Sequence, residues 1–226
     1  MKQKNYFQFL KTGWLAIALL FSVSASATIY VKPNAGSTAW SGETTVYTDF
    51  EAAYAAAEAN ENIWVAAGEY PITTILNFKS VNIYGGFAGT ETSIDERAKV
   101  TNGKAWEFTN ASVLKLANTI SGTSDATRDA GIFSNGNNAG IGSTTFLVNG
   151  ITFDGNKSSG YTGRAINIGG HSTTAKADIV NCIVQNFESK ADGGGLNLRS
   201  AGVTVSYCLI QNNVGNKGGA GYFDRT

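Results

Sequence analysis

Histidine is almost missing from this chain of 226 residues: there is one, His171. Cysteine and proline occur twice each, and 15% of the residues are charged. Each shortage closes off a class of protein. A catalytic histidine needs an orienting carboxylate and a nucleophile. His171 sits in the glycine-rich stretch Gly169–Thr173, its nearest acid is Asp178, and nothing ties the two together, so it reads as a surface turn residue. Two cysteines without partner ligands make no metal site. Long apolar stretches are scarce as well. The longest, Trp14–Val23, is about half the roughly 20 residues of a membrane span. Yet 42% of residues are hydrophobic, too many for a disordered chain.

That apolar stretch follows a basic segment with Lys2, Lys4 and Lys11 and precedes Ser24-Ala25-Ser26-Ala27, an A-x-A-like cleavage site before Thr28. The pattern is that of a secretory signal peptide over residues 1–27. No cysteine lies near the cleavage point to carry a lipid anchor. Removing three lysines from 17 basic residues leaves 14 against 17 acids, a mature charge of −3. Such a balance gives no electrostatic case for nucleic acid. The mature part, about 200 residues, is expected to form one domain. Its 27 glycines and frequent asparagines suit short strands joined by tight corners.

The chain repeats itself. Val148–Asn156 (VNGITFDGN), Ile179–Phe187 (IVNCIVQNF) and Val205–Asn213 (VSYCLIQNN) align as nonapeptides. The first column (Val148, Ile179, Val205), the fourth (Ile151, Cys182, Cys208) and the sixth (Phe153, Val184, Ile210) are apolar in every copy. A second block follows each: Gly163–Ile168, Gly193–Leu198 and Gly218–Phe223. Side chains of a strand alternate with period 2, and these columns break the alternation once. A bend at the third position restores it. Gly150 and Asn181 tolerate the left-handed backbone such a bend wants, whereas Tyr207 in the third copy does not favour it. No unit buries its inward columns alone. Stacked about 4.8 Å apart, the units pair in parallel and share one core. The expected fold is all-β, a right-handed single-stranded parallel β-helix. The absence of a 3.6-residue stripe excludes a helical repeat.

Ile63–Tyr70, Ser80–Gly89 and Ser112–Gly122 read as less regular coils, and Thr123–Ser143 as a polar loop excursion. In Thr48–Asn60, Thr48 and Glu51 have capping-box spacing. Phe50, Ala53, Tyr54 and Ala57 share one helical face, and Asn60 is the expected stop. With the strand Thr28–Pro33, this helix is expected to cap the N-terminal end. The expected organisation is a leader (1–27), a cap (28–62) and coils (63–226).

Thr28–Trp40, Ile63–Tyr70 and Val81–Arg97 resemble the N-terminal module of secreted right-handed parallel β-helix proteins of the pectin lyase-like superfamily, including surface proteins of Bacteroidetes-type bacteria. Phe153–Asn156, Ile210–Asn213 and Gly218–Ala220 are similar to the F-x-x-N and GGA repeats of polymorphic outer-membrane proteins. The resemblance implies the fold. For function it leaves open adhesins, lyases and hydrolases.

Lyases of that superfamily use Arg or Lys to abstract a proton and acids to hold calcium. Arg164 and Arg199 with Asp154 and Asp192 are the candidates, but no acidic cluster forms in the sequence, and they read as residues of solvated faces. The polygalacturonase motifs are absent. Glu91, Asp95, Glu96 and Arg97 lie together, with Glu96–Arg97 as an exposed pair; Gly85–Gly89 lacks the Lys-Ser/Thr of a phosphate loop and serves a corner. Trp40, Trp64, Trp106, Tyr161 and Tyr222 are the candidates for stacking on sugars, with Trp64 tending to the core. Cys182 and Cys208 should lie one strand apart, which allows packed thiols or a disulfide.

The last unit ends just past its second block, so a longer protein with further coils is expected. Together these features point to a monomeric, secreted or cell-surface protein without a membrane span in its mature part. It is expected to be adhesin-like and to contact a polysaccharide or host or cell-surface glycan. The alternative is a polysaccharide lyase or glycoside hydrolase whose active site lies elsewhere. No catalytic, cofactor-binding or metal-ligating residue is assigned.

Overall fold

A computed structural model describes residues 27–34, 40, 42–43, 45–120, 130–134, 141–170, 176–199 and 202–224. Residues 1–26 of the leader and His171 lie outside the described residues. In chain order the elements are β1 (Thr28–Val31), β2 (Val46–Tyr47), α1 (Phe50–Ala56), β3 (Asn62–Ala66), β4 (Gly68–Ile72), β5 (Asn82–Phe87), β6 (Ser112–Leu116), β7 (Gly131–Ser134), β8 (Thr145–Asn149) and β9 (Ile151–Asp154). They continue with β10 (Arg164–Ile168), β11 (Lys176–Val180), β12 (Ile183–Gln185), β13 (Leu196–Leu198), β14 (Val203–Ser206), β15 (Leu209–Gln211) and β16 (Gly221–Phe223).

The strands form three all-parallel sheets. The first has the order β14-β11-β8-β5-β3-β1-β2, the second β15-β12-β9-β6-β4, the third β16-β13-β10-β7. From β5 onward the chain visits first, second and third sheet in strict rotation, β7 being the first strand of the third. Before that, Leu76 bridges Phe133 of β7 and takes the third place. No helix among the described residues is long and apolar enough to cross a membrane.

The repeat columns become inward ladders. Ile179 pairs with Val148 and with Val205, and Val184 pairs with Phe153 and with Ile210. The ladders reach further back than the repeat does. Ile29, Ile63 and Ile83 continue the first column, and Tyr70 and Leu114 the sixth. Apolar side chains inside each ladder therefore meet their like above and below in a close-packed core, and those at the ladder ends on one side. Ile151 and Cys182 are buried and Cys208 is half-buried.

The corner between the first two sheets is set at the third repeat position, where Gly150, Asn181 and Tyr207 all have positive φ (78°, 53° and 52°). Tyr207 thus adopts the bend that its residue type disfavours, with its ring 70% exposed. The flanking strands fix the backbone there and offset the cost of a left-handed residue that carries a Cβ.

Three expectations need correction. The helix begins one residue later than Thr48 implies: Asp49 is the N-cap, its Oδ1 accepting from Ala52 N at 2.6 Å. Glu51 does not close a capping box. It reaches sideways to the backbone N–H groups and hydroxyls of Thr73 and Thr74. The helix also ends at Ala56, before Asn60, because the Ala57 backbone is already extended. The excursion from Thr123 to Ser143 is not all loop, since β7 lies in it and is buried throughout. Phe133 of β7 touches Phe50 and Tyr54 of α1, Phe78, Phe146 and Phe153, joining the helix to the common core.

Candidate functional site

The outer face of the second sheet carries two stacked columns. One is Glu69, Val113, Thr152, Ile183 and Leu209; the other is Pro71, Lys115, Asp154, Gln185 and Gln211. Along the first column Val113, Thr152, Ile183 and Leu209 are half-buried and make an apolar strip. The second column is polar and linked from strand to strand. Gln211 Nε2 donates to Gln185 Oε1 at 3.0 Å, and Gln185 Nε2 donates to Asp154 Oδ2 at 3.0 Å. Asp154 also accepts from Asn186 Nδ2 and from the backbone of Asn156. Lys115 Nζ pairs with the exposed Glu69 at 3.0 Å. In water that pair is worth under about 1 kcal/mol.

Aromatic residues border this face on both sides. On one, Tyr161 lines a cleft of about 390 Å³ with Glu69, Pro71, Lys115 and Asn156. An adjoining depression of about 290 Å³ shares Lys115 and Asn156 and adds Asp154, Lys157 and Asn186. On the other side Trp106 lines a cleft of about 260 Å³ with Val100, Phe108, Thr152 and Ile183.

Local chemistry builds both borders. Asn156 takes the left-handed conformation (φ 51°), which its short amide tolerates. Its Nδ2 donates to Leu116 O at 3.1 Å, and a 3-10 turn, Lys157–Ser159, then swings the chain back. Ile120 N bonds Thr162 O at 2.8 Å and fastens Tyr161 beside β6. Trp106 sits at the tip of a ribbon closed by the antiparallel bridge between Lys99 and Phe108. Arg97 anchors that ribbon. Its guanidinium donates to Gly85 O at 3.0 Å and to Asn149 Oδ1 at 3.2 Å and lies 4.9 Å from the Phe108 ring centre. Burial, reinforced by the Arg97 charge, pulls the Lys99 ammonium down to about 8.

The other candidates fall elsewhere. Trp40 and Trp64 pack in a second cluster with Phe87. Trp64 stacks on Phe87 at 4.7 Å, and the Trp40 indole donates to Glu91 O. Tyr222 lies under Arg199 at 5.1 Å and Lys217 at 5.9 Å, away from the second sheet. Arg164 is 1% exposed, contrary to its expected place on a solvated face, and its Nε donates to the carbonyls of Asp192 and Gly193. Arg199 is also mostly covered and approaches Asp192 at 3.9 Å, which Lys217 pairs at 3.2 Å.

Glu96 and Arg97 do not form the expected exposed pair. Glu96 caps its own turn by accepting from Thr92 N at 2.7 Å, and Arg97 turns inward as described. Glu91 is buried, its carboxylate accepting from the backbone N–H groups of Ala88, Gly89 and Thr90 at 2.6–2.9 Å. It closes the glycine corner of residues 85–89. Asp95 is exposed, and Asp178 lies on β11 of the first sheet. Among the described residues no group of three or more His, Cys, Asp or Glu side chains lies close enough to hold a metal ion. Both cysteines are free thiols.

The polar column went unread although its signal was present. Asp154, Gln185 and Gln211 occupy the seventh repeat position, polar in every copy. Lys115 and Glu69 left no such signal, because they meet only through the pairing of β4 with β6. An elongated face with an apolar strip, a hydrogen-bonding column and two aromatic borders suits an amphipathic, multiply hydroxylated ligand. No protein-family model, no curated protein and no solved structure matches the chain.

Proposed function

We propose that the three sheets are the faces of one right-handed single-stranded parallel β-helix of the pectin lyase-like kind, with α1 as its N-terminal cap. On this reading the protein is exported through its leader and acts as an adhesin-like, non-catalytic binder of a polysaccharide or cell-surface glycan. The observation that carries the reading is the convergence of Trp106 and Tyr161 on opposite borders of one sheet face, with the column from Lys115 to Gln211 along it. Sugar rings offer apolar C–H faces to aromatic side chains and hydroxyls to amides and charges. Binding rather than catalysis is supported by the engagement of the candidate acid and base. Asp154 is held by three donors, and Arg164 donates to backbone carbonyls in the interior.

The test is affinity electrophoresis of the mature chain through gels carrying plant, bacterial and host polysaccharides. A retarding polymer is expected, with W106A and Y161A each weakening retention about tenfold, the size of a binding hot spot. Unchanged retention in the double variant would remove the face from the reading. Release of new reducing ends or unsaturated uronic products from the polymer would replace it with the enzymatic alternative.

A further inference from the structure

The register brackets the two cysteines from both sides. Val180 pairs with Ser206 and Ile183 with Leu209, and the backbone bonds Asn181 N to Ser206 O (3.1 Å) and Leu209 N to Cys182 O (2.9 Å) close the ladder around them. Cys182 and Cys208 therefore sit opposite each other, one strand spacing of about 4.8 Å apart, inside the Cα range of a disulfide. The two side chains lean the same way, each toward the coil before its own. Cys208 Sγ points back at the neighbouring coil, 3.4 Å from Cys182 N and 3.4 Å from Ile179 O. Cys182 Sγ stands in the same relation to the coil before its own, 3.6 Å from Val148 O. The two thiols also lie within hydrogen-bonding reach of each other. Access is one-sided: Cys208 is half-buried and Cys182 fully buried.

We infer that Cys182 and Cys208 are an oxidisable pair that closes the stretch between them into a covalent ring, stapling two neighbouring coils when the chain meets an external disulfide. Cys208 is the attacking thiol. Hydrogen bonds from the Cys182 thiol and backbone N–H lower the Cys208 thiol below its ordinary value, whereas burial raises that of Cys182. The Cys208 thiolate attacks one sulfur of a small-molecule disulfide; that S–S bond breaks, a mixed disulfide forms and one thiolate leaves. Cys182 then gives up its proton and attacks Cys208 Sγ, and the second thiolate leaves. Two protein thiols lose two electrons, and the reagent takes them up as two thiols.

The test treats the fully reduced full chain with oxidised glutathione, alkylates it in denaturant and measures intact mass and non-reduced peptides. The expected product has lost two hydrogens, takes no alkyl group and yields a peptide linking Cys182 to Cys208. In C182S the reaction should stop at a glutathione adduct on Cys208. Alkylation of both thiols, or a lasting glutathione adduct on Cys208 in the unsubstituted chain, would overturn the inference. So would a C182S chain that takes up no glutathione, since Cys208 would then be inaccessible.

Discussion

Replacing Glu91 by glutamine removes one charge and changes almost no volume. In the native chain Oε1 accepts from Ala88 N, and Oε2 accepts from Gly89 N and Thr90 N. An amide serves these donors only in part. With its oxygen in the Oε2 place it keeps two bonds as neutral ones, each losing about 1 kcal/mol of charge assistance. Its NH2 then faces the Ala88 N–H, which stays unsatisfied at a cost of about 1–3 kcal/mol. E91Q should therefore lose about 3–5 kcal/mol, a fall in Tm of about 10 °C for a chain of this size. Thermal unfolding followed by circular dichroism at about pH 7 measures it.

The pH dependence supplies the sign. Burial works to raise the Glu91 carboxyl, but backbone N–H groups outweigh it and hold the carboxyl below its ordinary 4.5. Stabilisation is thus complete above 4.5 and is lost as pH falls through the lower folded value. Glutamine does not titrate, so the gap between the two proteins narrows in acid. A gap under about 1 kcal/mol near neutrality, or one that widens in acid, would refute the account of this corner.

Other substitutions probe the stack itself. F153A opens a cavity between Phe133, Leu114 and Val184 and should cost about 3–5 kcal/mol in urea unfolding. Y207N relieves an exposed side chain of its left-handed backbone and should raise the urea midpoint, a gain of up to about 1 kcal/mol. Oxidation of the cysteine pair closes a ring spanning 26 positions of sequence, which should add about 3.5 kcal/mol, read as a higher Tm of the cross-linked chain against the reduced one.

The inward columns were legible because a dry, stacked interior demands the same chemistry at the same place in every copy. Val148, Ile179 and Val205 announce one another. β7 was illegible for the opposite reason: Gly131–Ser134 is four residues in a polar stretch and owes its strand to pairing with β10. The helix face was legible from its period and its start was not, because Thr48 and Asp49 are both good caps and only the backbone geometry chose the aspartate. Trp106 and Tyr161 could be named as stacking candidates from residue type alone. Their meeting across one sheet depends on a left-handed Asn156 and on a ribbon pinned by Arg97, neither of which has a periodic signature.

The polar column bears on what the face is suited to do. Gln211 donates to Gln185, which donates to Asp154; on the third sheet Asn197 donates to Asn167, which donates to Ser134. Both series point the same way, each amide giving its N–H to the strand before it in the sheet. A carboxylate is a fitting end for the outer one, since both Asp154 oxygens serve as acceptors there. The column is thereby ordered before any ligand arrives, so little side-chain entropy is left to lose on binding. Three donors already engage the Asp154 carboxylate, so a proton taken up there competes with the series that positions it. A proton-transferring site needs an acid or base free to change its state, whereas a rigid face with aromatic borders offers the same surface throughout. On the proposed reading, affinity comes from Trp106 and Tyr161 and register along the ligand comes from the amides between them.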